Sequence, residues 1–349
     1  MPVLRRKMET VRLQVNQEDI DKAGEIIRAG GLVAFPTETV YGLGADALNG
    51  DAVRSVYVAK GRPSDNPMIV HIADRDQLDE LVTEIPEVGE KLMAKYWPGP
   101  ITFVFKKSDA VPMVTTGGLD TVAVRMPSGE VARRLIRAAE RPIAAPSANI
   151  SGRPSPTTAL DVLEDMDGRI DAVIMGETCD VGIESTVCDL TGDVPTVLRP
   201  GYITPEMMSE AIGSPVVYDE MLFATPDKPA SDPSKGVDES TDFKPKSPGM
   251  KYKHYAPKAN VIIVRGSDTS DRATKAYSEL GKILNEHQNA VLVDYEGDSK
   301  RAAHDFFARL RELDRRGVET IIVTGLPEQG LGFSVMNRML KSAGYNVIE

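Results

Sequence analysis

A chain of 349 residues exceeds what one hydrophobic core comfortably organises, so two domains are expected. Its 41% hydrophobic and 27% charged residues are a globular balance, with no apolar run near the roughly 18 residues of a membrane helix. A formal net charge of -11 argues against a broad nucleic-acid surface, so nucleic-acid binding by this chain is expected to be weak at most; two cysteines argue against a disulfide framework, and four histidines without HExxH or CxxC companions argue against structural zinc.

The N-terminal MPVLRRKMETVRL has basic residues but no apolar segment behind them, so it does not read as a secretory signal and a cytoplasmic location is expected. Residues 19 to 30 space Ile20, Ala23, Ile26 and Ile27 at helical intervals and end in Gly30 and Gly31, which predicts a helix that stops there. LVAFP, residues 32 to 36, reads as a short buried strand, and the TETVYGLG that follows reads as a polar, glycine-rich loop at its end. Such loops are where α/β enzymes place chemistry. Short strands are expected at residues 68 to 72, 101 to 105, 121 to 125, 143 to 145, 172 to 175 and 186 to 190, with a helix at 131 to 140. Cys179 and Cys188 read as small buried apolar side chains.

Residues 222 to 250 are rich in proline and charge and poor in large apolar side chains, which marks a linker. Beyond it VIIVRG, AVLVDYEG and ETIIVTG alternate with helical patterns near 271 to 287, 299 to 316 and 331 to 343. Three such alternations predict a small parallel sheet with right-handed crossovers. The expected fold class is therefore α/β, with α+β open for the first domain.

The chain has no GxxxxGK[ST] element and no GxGxxG after a strand, so a nucleotide would have to be held without either phosphate loop. What it has instead are polar loops that each follow an apolar run. KGRPSDNP, residues 60 to 67, sets Lys60, Arg62 and Asn66 just before the run that ends at His71. Arg125 closes the alternating VAVRMP, where a charge is unexpected unless it is paired or binds something. AAPSANISGRPSPT, residues 144 to 157, offers Ser147, Asn149, Ser151 and Ser155; GIESTV offers Ser185 and Thr186; VLRPG offers Arg199. These groups suit anions, because arginine presents a planar fork and lysine a point charge to phosphate or carboxylate. Each alone is equally well an ordinary turn or cap, and His71 suits either a satisfied structural histidine or a substrate contact.

Taken together and in order, PTETVYGLG, KGRPSDNPMIVHI, YWPGPITFVF, VAVRMP, APSANISGRPSPT, GIESTV and LRPGYI resemble the YrdC-type domain. SPGMKYKHYAP at 247 to 257 and GLGFSVMNRMLKSA at 330 to 343 resemble the longer, two-domain Sua5 form of the threonylcarbamoyl-AMP synthase family. The resemblance implies a YrdC-like twisted mixed-sheet domain at 1 to 221, a linker at 222 to 257 and a small Rossmann-like domain at 258 to 349. It implies condensation of L-threonine, bicarbonate or carbon dioxide, and ATP to threonylcarbamoyl-AMP and pyrophosphate. Other proteins of the tRNA threonylcarbamoyl transfer machinery would then pass the group to adenosine 37 of tRNAs that read ANN codons. Position by position it assigns Thr39, His71, Arg125, Ala145 and Ser185 to threonine. To ATP it assigns Lys60, Arg62, Asn66, Thr121, Ser147, Asn149, Ser155 and Arg199; the aromatic and basic KYKHY of the linker is further expected to fold back over the cleft and shield the labile intermediate from water, with Tyr252, also counted toward ATP, or His254 touching it. Mg²⁺ would be held mainly by the ATP phosphates, with Glu38 and Glu184 as alternative contacts. Two other readings are an RNA-binding module, opposed by the acidic charge, and a carbamoyl-transfer enzyme, whose additional domains find no room in this chain.

Overall fold

The computed structural model describes residues 9–224, 255–286 and 289–349. Helix α1 (Gln17–Arg28) begins where the Asn16 side chain accepts from the Asp19 amide, and carries acidic residues in its first turn and Arg28 in its last, as the helix dipole favours. It buries Ile20, Ala23 and Ile27, and Gly30 at φ +84° turns the chain into the first core strand. The other helices of this half are α2 (Gly50–Lys60), α3 (Gln77–Leu81), α4 (Glu87–Tyr96), α5 (Glu130–Ala139), α6 (Ala159–Met166) and α7 (Pro205–Ile212).

Eleven strands form one mixed sheet: β1 (Val11–Leu13), β2 (Val33–Phe35), β3 (Gly42–Asp46), β4 (Ile69–His71), β5 (Ile101–Lys106), β6 (Thr121–Arg125), β7 (Ile143–Ala144), β8 (Ala172–Ile174), β9 (Thr186–Asp189), β10 (Thr196–Arg199) and β11 (Val217–Tyr218). Their order is β1-β8-β2-β3-β7-β4-β6-β5-β9-β10-β11. Side chains alternate between the two faces. Ala34, Val70, Val124 and Ala144 enter the large core shared with α2, α4 and α6, while Val33, Phe35 and Ile143 enter a second core with α1 and α5. One expectation fails here: residues 42 to 44 of the expected loop belong to β3, antiparallel to β2. Gly44 is required by packing, since a Cβ there would lie 2.8 Å from Ile143 Cγ2 and 2.9 Å from Phe35 Cε1.

The second half has strands β12 (Asn260–Val264), β13 (Ala290–Val293), β14 (Thr320–Thr324) and β15 (Val347–Ile348), all parallel in the order β13-β14-β12-β15. Helix α8 (Thr269–Asn285) packs on one face, and α9 (Ser299–Arg315) and α10 (Gly330–Ser342) on the other. Strands covered on both sides are near-continuously apolar, which is why VIIV and TIIVT were readable. The two-residue β15 was not. Among the described residues no helix is long and apolar enough to cross a membrane.

The two halves share an apolar cluster, in which Val40, Ile183 and Tyr255 meet Phe306, Phe307 and Leu310 of α9. Gly182, at φ +80°, lies against the α9 backbone so closely that a Cβ would be 2.3 Å from the His304 carbonyl oxygen. Arg311, fully buried, reaches from α9 into the first half and donates to the Pro154 carbonyl at 2.6 Å and to Asp165 at 2.8 Å. Both cysteines are free and buried, and burial pushes the Cys179 thiol up to about 12 and Cys188 higher still.

Candidate active site

The register of the sheet assembles the site. His71 pairs opposite Arg125 across β4 and β6, so both project on the same face as Ile69 and Ala123, away from the large core. Arg125 is 3% exposed. Its Nη1 donates to Thr39 Oγ1 at 2.8 Å, its Nε donates to the Gly99 carbonyl at 3.3 Å, and its Nη2 stands 2.8 Å from Glu38 Oε2. Burial would push the Glu38 carboxyl up, but the Arg125 charge overrides this and holds it below the usual range. Burial, with Arg125 beside it, pushes His71 down to about 3, so it is a neutral imidazole with Nδ1 3.2 Å from the Ile69 carbonyl. Thr37 and Thr39 hydroxyls, 2.9 Å apart, fix the strand-end loop beside them.

Across the cavity the loop after β7 is held from below by Lys60, the last residue of α2. Its buried ammonium donates to the Ser147 and Asn149 carbonyls. Burial, with Arg62 nearby, holds the Lys60 pKa well below its usual value. Gly61, in the left-handed conformation at φ +62°, ends α2 and turns Arg62 toward the same opening, where its Nη2 donates to the Pro67 carbonyl at 3.1 Å. Asn149 Nδ2 donates to the Ile150 and Arg153 carbonyls and Ser147 Oγ to Asn149 Oδ1. The loop is thus rigid, with Ala145 at its root.

The third wall comes from the segments around β9 and β10. Arg199 donates from Nε to the Ser185 carbonyl and from Nη2 to Ser185 Oγ, both at 3.0 Å. Burial lowers the Arg199 pKa to about 10 against the opposing pull of Glu184. Ser185 Oγ is also 2.8 Å from Thr102 Oγ1. Ser155, 1% exposed, donates to Glu184 Oε1 at 2.6 Å.

One cavity therefore brings together Thr39, Lys60, Arg62, His71, Arg125, Ala145, Ser147, Asn149, Ser155, Ser185 and Arg199. Thr121 and Asn66 stand outside its lining. Thr121 pairs with Lys106 at the other end of β6, four residues and about 13 Å from Arg125. Asn66 is buried beside Arg62, and its Oδ1 has no hydrogen-bond partner among the described residues. Tyr252 and His254 lie outside the described residues. The tyrosine that does line the cavity is Tyr255, with its ring 5.0 Å from that of Phe307 and its backbone at φ +65°. The amide that follows, on Ala256, donates to the Gly152 carbonyl, which ties this strap to the cavity loop. Burial, with Glu184 beside it, raises the Tyr255 phenol to about 12. KYKHYAP announced an aromatic strap, but nothing in its spacing distinguishes Tyr252 from Tyr255.

Fold and cavity define a two-domain α/β protein built around a buried cleft of arginines, a lysine and hydroxyls, whose carboxylates are already paired with arginines. The family model described as Telomere recombination matches residues 25–201, and that described as Threonylcarbamoyl-AMP synthase, C-terminal domain, matches residues 203–344. Threonylcarbamoyl-AMP synthase of Pyrococcus abyssi is 47% identical over 97% of this chain and 98% of its own length, and that of Bacillus subtilis is 43% identical over 97% of each. Threonylcarbamoyl-AMP synthase of Pseudomonas putida, 38% identical, matches only 52% of this chain but 97% of itself. The crystal structure of P. abyssi Sua5 complexed with L-threonine superposes with a TM-score of 0.86 at 45% identity, over 98% of both chains. The chain belongs to the threonylcarbamoyl-AMP synthase family.

Proposed function

We propose that this chain is a cytoplasmic L-threonylcarbamoyladenylate synthase, a nucleotidyltransferase acting on L-threonine, bicarbonate and ATP. The observation that carries the reading is the single cavity in which Arg125 and Arg199, with Lys60 and Arg62, face hydroxyls and backbone carbonyls. It suits one ligand with a carboxylate and another with phosphates. The full-length likeness to a synthase solved with L-threonine supports that choice of ligands.

In this reading the threonine amine and bicarbonate form a carbamate and water. A carbamate oxygen then attacks the α-phosphorus of ATP, a P–O bond forms, and the bond to the β-phosphate breaks with pyrophosphate leaving with the electron pair. Such a step needs alignment and cations, and no protein nucleophile. Thr39, His71, Arg125, Ala145 and Ser185 hold threonine, with Arg125 shared between Glu38 and the substrate carboxylate. Neutral His71 can offer a hydrogen bond without repelling a substrate ammonium. Lys60, Arg62, Ser147, Asn149, Ser155 and Arg199 hold ATP; Asn66 and Thr121 enter only through the resemblance. Glu38 and Glu184 are each already occupied by an arginine, which fits Mg²⁺ carried mainly on the ATP phosphates, where it would offset their charge. The product would pass to the machinery that modifies adenosine 37 of tRNA.

The test is pyrophosphate release from ATP with threonine and bicarbonate omitted in turn. Release that requires both is expected. Release that persists without threonine would overturn the proposal.

A further inference from the structure

The third wall of the cavity does not stand on its own half of the protein. Glu184 is buried, and its two oxygens face opposite ways: Oε1 accepts from Ser155 Oγ at 2.6 Å, and Oε2 lies 3.3 Å from Nε of Arg338. Arg338 is on α10, 154 residues away in sequence and fully buried. Its Nη1 donates to the carbonyl of Pro200, the residue next to Arg199, and to the Ser334 carbonyl. Ser334, one turn earlier, donates to the Gly201 carbonyl at 2.8 Å. Residues 334 and 338 thus lie on one face of α10, and that face holds both Glu184 and the chain just after Arg199.

Glu184 without Arg338 would be a desolvated carboxylate left with the Ser155 hydroxyl, the Tyr255 phenol and the fields of Arg199 and Lys341. Burial pushes its pKa up, and Arg338 is the foremost charge that opposes this. A glutamate also has three rotatable bonds, so an oxygen that accepts from Ser155 in one rotamer leaves it in another. The fork of an arginine fixed on both Glu184 and Pro200 removes that freedom.

We infer that Arg338 is a positioning residue of the active site: through Glu184 it sets the Ser155 hydroxyl, and through Pro200 it sets the approach of Arg199, so that α10 of the second domain is a working wall of the nucleotide subsite. The inference rests on the assignment of Ser155 and Arg199 to ATP made above. It gives the second domain a task inside the reaction that bears more on ATP than on threonine, because the polar partners of Arg125 and His71 lie in the first half, and α10 reaches the threonine side through Arg199 and Ser185.

The test compares Arg338→Met, the double variant Glu184→Gln/Arg338→Met, and Arg315→Ala in the full-length chain. Arg315 spans the same seam to Asp161 and Glu164 but is half exposed and touches no cavity residue. Binding of ATP with Mg²⁺ and of L-threonine is measured separately by calorimetry, alongside melting temperature. In Arg338→Met the Kd for ATP should rise about 10-fold or more, as expected when a hydrogen bond to a charged group is lost, with threonine affinity changed less than about twofold. The double variant, which leaves no unpaired carboxylate, should melt near the wild-type temperature yet keep the weakened ATP binding. Arg315→Ala should bind both ligands as wild type does. ATP bound within about twofold of wild type by the double variant, or equal loss of ATP and threonine in Arg338→Met, would overturn the inference alone. A wild-type chain that binds no ATP would remove the proposed function and this inference with it.

Discussion

Replacing Arg125 by methionine tests the physics of the site in a way that activity alone does not. The guanidinium is 3% exposed and sits 2.8 Å from the buried Glu38 carboxylate, with further hydrogen bonds to Thr39 Oγ1 and the Gly99 carbonyl. Breaking a buried pair by removing one partner costs about 3 to 5 kcal/mol, because the other charge is left desolvated. In the wild type, Glu38 has a folded pKa below its unfolded value, so its contribution is present above the unfolded value and is lost only as pH falls through the folded one. In Arg125→Met burial dominates and the folded pKa rises above the unfolded value. The penalty is then fully present at high pH and is relieved as Glu38 takes up a proton. The difference in unfolding free energy between wild type and variant should therefore be about 3 to 5 kcal/mol at pH 8 and shrink toward pH 5. Glu38→Gln/Arg125→Met should recover much of it at pH 8. Urea unfolding followed by the single tryptophan, Trp97, reads this within the first domain, since its ring packs on Phe103 two residues from the Gly99–Ile101 turn. A difference below about 1 kcal/mol at pH 8, or one that does not change with pH, would refute the reasoning.

His71, held near 3 when folded against 6.5 unfolded, binds its proton more readily in the unfolded chain, so stability should fall as pH drops from 6.5 toward 3. The slope from this group approaches about 1.4 kcal/mol per pH unit, and denaturation of His71→Gln at stepped pH should show a shallower decline; parallel curves would count against a neutral buried imidazole. Lys60→Met strips the Ser147 and Asn149 carbonyls of their buried donor and should cost about 2 to 4 kcal/mol, with ATP affinity reduced and threonine affinity nearly kept. Equal loss of both ligands would mean that Lys60 supports the whole cavity rather than one loop. Gly182→Ala combines a left-handed backbone with a Cβ 2.3 Å from the His304 oxygen and should cost about 2 to 5 kcal/mol at the seam. Calorimetry should show a lowered or divided transition, and an unchanged one would show that α9 can retreat freely.

Elements that declare themselves locally were legible in the sequence. The helical spacing of Ile20, Ala23 and Ile27 in α1, the paired glycines after it, and the VIIV and TIIVT runs each carry their own signal, and the structure agrees within two or three residues. The loop residues of the cavity were legible for the same reason: a charge or hydroxyl following an apolar run is anomalous where it stands. Strand order was not, because β1 pairs with β8 and β5 with β9 through contacts between segments 85 or more residues apart, which no local pattern encodes. Gly42 to Gly44 read as loop since glycines lack strand propensity, yet they begin β3, where residue 44 is glycine because nothing larger fits between Phe35 and Ile143. Nothing in the local pattern marks Arg311 or Arg338. Their partners Asp165 and Glu184 lie about 150 residues upstream, and only the docked structure turns those charges inward.

The Glu184–Arg338 contact also bears on how such proteins can change over time. Two positions whose charges are buried against each other cannot drift independently, since either replacement alone leaves the other uncompensated. Among relatives that match this chain over nearly its whole length, positions 184 and 338 should therefore vary as a couple. The same coupling governs engineering. The first half of this chain, moved onto a new carrier, should keep its fold only together with α10 or after residue 184 has been made neutral.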